Sequence, residues 1–124
     1  MSRGLAAIPG APLLQAQGLG VQVPGSGREA RWLLRGLDLA VQPGQCWVLL
    51  GRNGAGKTQL LSTLAGARPP AEGTLAVAGH PLAAWPLGEL ACWRGYVPQQ
   101  VVDAFPAPVL DVVLQGRHPH LSRW

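Results

Sequence analysis

Residues 51–58, GRNGAGKT, combine three glycines with Lys57, which is the only lysine in the chain, and with the hydroxyl of Thr58. Their spacing is G-x-x-x-x-G-K-[ST]. Glycines let a backbone turn so that its N–H groups point inward and cradle an anion. A lysine is a flexible point charge suited to phosphate oxygens, and a threonine hydroxyl can ligate Mg²⁺ that bridges them. This loop is therefore predicted to bind the phosphates of a nucleotide.

The spacing matches the Walker A motif, which lies between a strand and a helix. Residues 46–50 (CWVLL) are short, apolar and bounded by glycine, which predicts a strand buried on both faces. Leucines recur at helical spacing after the loop, and Gly66 is a natural helix stop. The residues predicted to contact the nucleotide are Gly51, Arg52, Asn53, Gly54, Ala55, Gly56, Lys57, Thr58 and Gln59.

Other elements follow from periodicity and turn signals. Strands are predicted at residues 13–23, 32–41 and 74–78, with turns at 24–27, 42–45 and 79–81. Helices are predicted at residues 87–93 and 109–114. In the second strand, alternation places Leu37, Leu39 and Val41 on one face and Asp38 and Ala40 on the other.

Composition and charge narrow the class of protein. The chain has 124 residues, 48% of them apolar, enough for a core in one domain or part of one. The formal net charge is +4, but the nine arginines are scattered, so no nucleic-acid partner is predicted. No apolar run approaches the roughly 20 residues of a membrane span, and Pro9 interrupts any signal-peptide core. Cys46 and Cys92 are predicted to be buried, reduced thiols, and the chain to be cytoplasmic.

Four motifs in order along the chain together resemble one family. GRNGAGKT is followed by QLLSTLAG, then EGTLAVAGHPL, then YVPQQ, and this order resembles the nucleotide-binding subunit of ATP-binding cassette (ABC) transporters over about residues 13–124. The resemblance implies an α/β fold of the P-loop NTPase class, with an antiparallel β subdomain and the start of a RecA-like core. It places this domain at residues 12–124, after a flexible tail at residues 1–11.

The resemblance also implies functional roles. Gln99 matches the Q-loop glutamine, which contacts Mg²⁺ and positions the attacking water. Gln100 is the alternative within the same pair. The competing interpretation is that Gln99 is an ordinary solvated loop residue. Residues 99–124 correspond to the surface that faces the transmembrane permease subunits. The implied ligands are ATP and Mg²⁺, and the full-length protein is expected to be a homodimer peripheral to the inner face of the cell membrane.

Two further runs resemble a subfamily. AGHPLAAW and FPAPVLDVVLQGRHPH are similar to importers of metal chelates, namely iron-siderophore, haem and cobalamin systems. A metal site at His118 and His120 is the weaker alternative, because the sequence offers no further cluster of His, Cys or acidic residues to complete it.

The chain also departs from the family pattern. Val23 stands where an aromatic residue usually stacks on adenine in this family. Trp32 is the alternative residue for stacking on the base, and a packing role is the competing interpretation of Trp32. No LSGGQ signature, Walker B Asp-Glu pair or switch histidine appears, and Asp111 is followed by Val112 where a catalytic Glu would stand. We therefore expect the N-terminal part of a cassette that does not hydrolyse ATP alone and that is marginally stable or aggregation-prone.

Two alternatives to a transport ATPase remain. One is a nucleotide-binding module that does not hydrolyse, or a degenerate remnant of a cassette. The other is a small GTPase or kinase. A GTPase requires an Asn-Lys-x-Asp base-reading motif, which a chain with Lys57 as its only lysine lacks, and no ordered pattern of lid arginines indicates a kinase.

Overall fold

The computed structural model describes residues 5–25, 29–100 and 105–121. These residues belong to two compact units, one ending at Ala84 and the other beginning at Trp85. The second half of the predicted turn at residues 24–27 lies outside the described residues. None of the helices in the described residues has the length and hydropathy of a transmembrane span.

The first unit is built on an antiparallel sheet. Its strands in the described residues lie in the order β2-β1-β3-β4. They are β1 (Leu14–Pro24), β2 (Ala30–Val41), β3 (Glu72–Val77) and β4 (His80–Pro81). The strands predicted at residues 13–23 and 32–41 are confirmed within two residues at each end.

The pairing of β1 with β2 is irregular, which explains the uneven alternation of the β1 sequence. The register shifts between Ala16 and Leu19. Gly18, at the shift, has a positive φ of 57°, and its N–H donates to Oδ1 of Asp38 at 2.7 Å. The irregularity leaves Ala16, Leu19 and Val21 all buried, so β1 contributes three residues to the core of this unit.

Strand β2 has the predicted alternation. Leu37 and Leu39 are half-buried, whereas Asp38 and Ala40 are exposed. The turn that follows is also confirmed: the Gln45 N–H donates to the Gln42 carbonyl at 3.2 Å, and Gly44 has a φ of 80°. A positive φ at this position is what a type II turn requires.

Helix α1 (Lys57–Leu64) follows the glycine-rich loop, as predicted. Leu60 and Thr63 are its buried residues, and Leu60 belongs to the core cluster that includes Leu19 and Leu75. The helix ends where expected, since Gly66 has a φ of 68° and its N–H donates to the Thr63 carbonyl at 2.8 Å. The helix therefore packs on the sheet through one face.

The hairpin of β3 and β4 corrects two predicted boundaries. Strand β3 begins at Glu72, two residues before the predicted start, because its first residues pair with β1. The turn lies at Ala78 and Gly79, with φ values of 50° and 87°, and not at residues 79–81. Two successive positive φ values are typical of the tight turns that join antiparallel strands. His80 and Pro81 consequently form β4.

Residues before β1 contact this hairpin. The Ile8 N–H donates to the Ala78 carbonyl at 3.0 Å, and Nε2 of His80 lies 2.8 Å from the Ala6 carbonyl. A Cβ at Gly79 would lie 2.8 Å from that of Ile8. Glycine is therefore required at position 79 by this close approach as well as by its φ.

Residues 46–50 are not a buried strand, and this prediction is wrong. The segment belongs to no strand, and Val48 and Leu50 are 75% and 85% exposed. A strand exists only where a neighbour accepts and donates its main-chain hydrogen bonds, and none of the described strands lies beside this segment. Cys46 and also Cys92 are free thiols, but both are exposed, contrary to the prediction that they are buried.

The second unit contains two short helices, both as predicted. They are α2 (Leu87–Trp93) and α3 (Val109–Gln115), and a 3₁₀ helix follows at His118–His120. Trp85 and Leu90 are buried, and the ring centroids of Trp85 and Trp93 lie 5.4 Å apart. Sγ of Cys92 lies 3.7 Å from Nδ1 of His120, so α2 contacts the 3₁₀ helix.

Candidate functional site

The predicted phosphate loop lies immediately before α1, in the first unit. Gly54 and Gly56 have φ values of 80° and 92°. These are left-handed conformations that glycine adopts without steric penalty. A Cβ at Gly54 would meet nothing within 4 Å. The loop therefore turns sharply and has open space beside it, as a cradle for an anion requires.

Lys57 is the first residue of α1, and its side chain folds back over the loop. Its Nζ donates to the carbonyl of Gly51 at 2.6 Å and to that of Arg52 at 2.9 Å. An ammonium group has three donors, so these two bonds fix its position and leave a third donor for an anion. The positive charge is thus held at the loop by the loop's own backbone.

The N-terminus of α1 adds main-chain donors. The Leu60 N–H is the first that bonds within the helix, to the Gly56 carbonyl at 3.0 Å. The N–H groups of the first turn have no partner inside a helix, and the positive end of the helix dipole favours an anion there. No acidic residue lies in this turn and no side chain caps it, so the turn itself carries no competing negative charge.

Leu33 of β2 fixes the last glycine of the loop. A Cβ at Gly56 would lie only 2.6 Å from Cδ1 of Leu33, so the side chain packs directly on the glycine backbone. This contact joins positions 23 residues apart. The sequence marks Leu33 only as an apolar strand residue, and nothing in its spacing indicates that it supports the loop.

Gln59 is held by a residue that the sequence did not single out. Its Oε1 accepts a hydrogen bond from Nη1 of Arg68, and Nη2 of Arg68 donates to the carbonyl of Gln22 at 2.8 Å. The arginine therefore joins the first turn of α1 to β1. Nothing in the sequence around Arg68 predicts this contact, because Gln22 lies 46 residues before it.

Thr58 and the remaining loop residues complete the predicted set. Thr58 is exposed, one residue into α1, and its hydroxyl is an oxygen donor of the kind that Mg²⁺ prefers. Arg52, Asn53 and Ala55 are exposed on the loop, where the Ala55 N–H donates to the Arg52 carbonyl at 3.1 Å. The structure thus brings all nine predicted residues together at one place.

Val23 and Trp32 are neighbours in the sheet. Val23 lies in β1 and pairs with Arg31. The ring of Trp32 packs over Gly20, where a Cβ would lie 2.8 Å from Cζ3, and Cζ of Arg35 lies 4.3 Å from the ring centroid. Trp32 consequently has a packing role within the sheet.

Gln99 and Gln100 belong to the second unit. Both are exposed and lie outside the helices. Exposed amide side chains on an irregular segment are accessible to a ligand, and neither side chain forms a hydrogen bond within the part of the chain that the structure describes.

Comparison with known proteins gives the family. The family model described as ABC transporter matches residues 34–111, more than half of the chain. The hemin import ATP-binding protein HmuV of Gloeobacter violaceus is 45% identical over 108 residues, which are 87% of this chain and 38% of that protein. The protein of the same name from Streptomyces coelicolor is 42% identical over 113 residues, 91% of this chain and 39% of that one.

A third relative and one solved structure agree with these. HmuV of Thermobifida fusca is 47% identical over 90 residues, 73% of this chain and 32% of that protein. The chain thus spans less than two fifths of the length of each of these relatives. A bacterial Atm1-family ABC exporter with ATP bound has a similar fold, with a TM-score of 0.55 and 24% identity over 73% of this chain and 15% of that one.

The loop at the start of α1, the antiparallel sheet beside it and the match to the family model lead to one conclusion: this chain belongs to the ABC transporter family.

Proposed function

We propose that the chain supplies the ATP-binding loop of a subunit that energises an ABC importer. The arrangement of Lys57 carries this proposal. Its ammonium is fixed on the carbonyls of Gly51 and Arg52, next to the N–H groups of the first turn of α1, which have no acceptor within the helix. Phosphate oxygens are the anions that such a combination of point charge and main-chain donors binds best.

Mg²⁺ accompanies ATP in this proposal. Thr58 would hold the ion, because its hydroxyl offers a neutral oxygen donor, and a role for Gln99 at the ion is proposed from the family resemblance alone. When bound, the ion neutralises negative charge on the phosphates. The chain's own part is to place the Thr58 hydroxyl beside Lys57 in the first turn of α1.

The relatives suggest the class of cargo. The HmuV proteins of Gloeobacter violaceus and Streptomyces coelicolor, which match over most of this chain, are hemin import ATP-binding proteins, and the AGHPLAAW and GRHPH runs fit importers of metal chelates. We therefore propose a metal chelate as the transported compound, of the haem, iron-siderophore or cobalamin type.

Exposed apolar residues support a membrane partner for the second unit. Phe105, Val109, Leu110 and Val113 are between 66% and 81% exposed. A set of apolar side chains left in water is typical of a surface that another protein covers. We propose that residues 99–124 contact the permease subunits, and that the full-length protein is a homodimer in the cytoplasm at the inner face of the membrane.

Hydrolysis needs residues that these 124 positions do not contain, namely a Walker B carboxylate pair and an LSGGQ signature. We propose that the chain by itself binds ATP without turning it over. The alternative is that the complete protein is also a nucleotide-binding module that does not hydrolyse ATP. Measuring ATP turnover by the protein made from the complete reading frame distinguishes the two, because sustained turnover refutes this alternative.

The proposal is tested by removing the lysine. Lys57→Met in the protein made from its complete reading frame is expected to weaken ATP binding roughly tenfold or more, because a charge-assisted bond to phosphate is lost. The measurement is calorimetric titration with MgATP. Arg117→Met is the matched control, since it removes one positive charge from an exposed position in the second unit and should leave the affinity unchanged.

Equal affinities of the Lys57→Met variant and the unaltered protein would contradict the proposal. So would an unaltered protein that shows no binding of ATP. An equal loss in the Arg117→Met variant would mean that net charge, and not the loop, governs the affinity.

A further inference from the structure

Arg68 forms a bridge between the helix that follows the phosphate loop and the central strand of the sheet. Its guanidinium donates through Nη1 to Oε1 of Gln59 and through Nη2 to the carbonyl of Gln22, at 2.8 Å. Its own main chain is anchored at the other end of α1, where its N–H donates to the Ser62 carbonyl at 3.3 Å. Arg68, Gln59 and Gln22 are each half-buried.

Both ends of this bridge lie next to residues expected at the nucleotide. Gln59 is the third residue of α1 and follows Lys57 and Thr58 directly. Gln22 precedes Val23, the position at which the family pattern places the base contact. The arginine thus connects the phosphate side of the expected site to its base side.

The chemistry of the bridge suits a spacer that fixes a distance. A guanidinium is planar, and its donors have a fixed fork geometry, so two acceptors bound to it are held at a set separation. Partial burial reduces competition from water and strengthens each bond. Because Oε1 of Gln59 is engaged with Arg68, the side chain of Gln59 is also held in one orientation beside the loop.

We propose that Arg68 is a positioning residue for nucleotide binding, which sets the spacing between the phosphate loop and the β1 segment around Val23. This inference rests on the proposed function, since it assumes that ATP binds at the loop. Its consequence is specific. A ligand with both phosphates and a base needs the spacing, whereas a bare polyphosphate needs only the loop.

The test compares two ligands. In the protein made from its complete reading frame, Arg68→Met is expected to weaken MgATP binding roughly tenfold and the binding of magnesium tripolyphosphate by less than about threefold. Isothermal titration calorimetry measures both dissociation constants. A purely structural arginine, or one acting only through its charge, would change both affinities by the same factor, because both ligands carry the same phosphates.

A second variant tests the bridge from its other end. Gln59→Leu removes the hydrogen-bond acceptor of Arg68, and leucine is a good helix former, so α1 is preserved. Because Arg68 itself is unchanged, this variant still tests the bridge if Arg68→Met does not fold. It should change the ratio of the two affinities in the same direction. Since both substitutions break the same contact, the double variant should lose little more than the more affected single variant.

Arg35→Met is the matched control. Arg35 is also an arginine that bridges two parts of the first unit, through a salt bridge to Glu72, but it contacts neither α1 nor the loop in the hydrogen bonds of the described residues. This variant should leave the ratio of MgATP to tripolyphosphate affinity unchanged.

Equal loss of both ligands in Arg68→Met and Gln59→Leu would overturn the positioning role, as would additive effects in the double variant. An unaltered protein that binds MgATP no more tightly than tripolyphosphate would overturn it too. Failure of the unaltered protein to bind either ligand is a different result, because it refutes the proposed function itself.

Discussion

Gly56 occupies both a conformation and a space that other residues tolerate poorly. Its φ of 92° lies in the left-handed region, where a residue with a Cβ is strained by about 1–3 kcal/mol. A Cβ there would also lie 2.6 Å from Cδ1 of Leu33. Gly54 shares the positive φ, at 80°, but a Cβ there would meet nothing within 4 Å. Comparing substitutions at Gly54 and Gly56 therefore distinguishes the cost of backbone strain, which both share, from the cost of a steric clash, which only Gly56 has.

Alanine substitutions should show this difference. We expect Gly56→Ala to lower the free energy of unfolding by at least about 1 kcal/mol more than Gly54→Ala does, because overpacking adds about 1–3 kcal/mol to the strain that both share. Chemical denaturation of the protein made from its complete reading frame measures both values.

Leu33→Ala provides the control for this prediction. In the Gly56→Ala background it removes the atom that the new Cβ would strike, so the double variant should recover part of the loss. Equal destabilisation by the two alanines, or no coupling between positions 56 and 33, would contradict the steric explanation.

The strands of the sheet are joined by side chains as well as by main-chain bonds. Arg35 of β2 donates to Glu72 of β3 through Nη2 at 2.6 Å and through Nε at 3.1 Å. These two strands are not neighbours, since β1 lies between them. Gly20 of β1 leaves room beneath the pair, and a Cβ there would lie 3.1 Å from Cβ of Glu72. The pair therefore crosses over the central strand.

This ion pair should contribute little to stability despite its two bonds. The side chains of Arg35 and Glu72 are 59% and 40% exposed, and water and salt screen exposed pairs to about 0.2–1 kcal/mol. We expect a double-mutant cycle with Arg35→Met and Glu72→Gln to give a coupling free energy within that range and to decrease at high salt. A coupling above about 2 kcal/mol that does not depend on salt would contradict the assignment to a screened pair.

The elements differ in how well local sequence predicts them. Helix α1 begins and ends at residues with local signals, the loop glycines and Gly66, so its position was predictable. The β3–β4 turn was misplaced because Ala78 adopts a positive φ without being glycine. Residues 46–50 have the composition of a buried strand, yet strand formation depends on neighbours that composition does not supply.

Exposed apolar side chains dominate the behaviour expected of the 124 residues as a separate chain. Trp47, Val48 and Leu50 are 59%, 75% and 85% exposed, and they are nearly continuous in sequence. An exposed apolar segment promotes association between chains.

We expect the 124-residue chain to self-associate and to bind an apolar dye at micromolar concentration. Replacing Val48 and Leu50 with threonine should reduce both effects, measured by light scattering and dye fluorescence. The control replaces Ala30 and Ala40, which are exposed on β2, with threonine, and should change neither. A monodisperse chain that melts in one highly stable two-state transition would contradict this prediction.

The sequence by itself determined the glycine-rich loop before α1, most of the element boundaries and the family, because these depend on spacings of a few residues and on motifs read in order. Only the tertiary structure decided which distant residues support the loop. Leu33 against Gly56, and Arg68 between Gln59 and Gln22, join positions 9 to 46 residues apart. Such contacts follow from how the strands and α1 pack, and no local pattern of residue types encodes them. The lone lysine marks the site, and the packing around it sets its geometry.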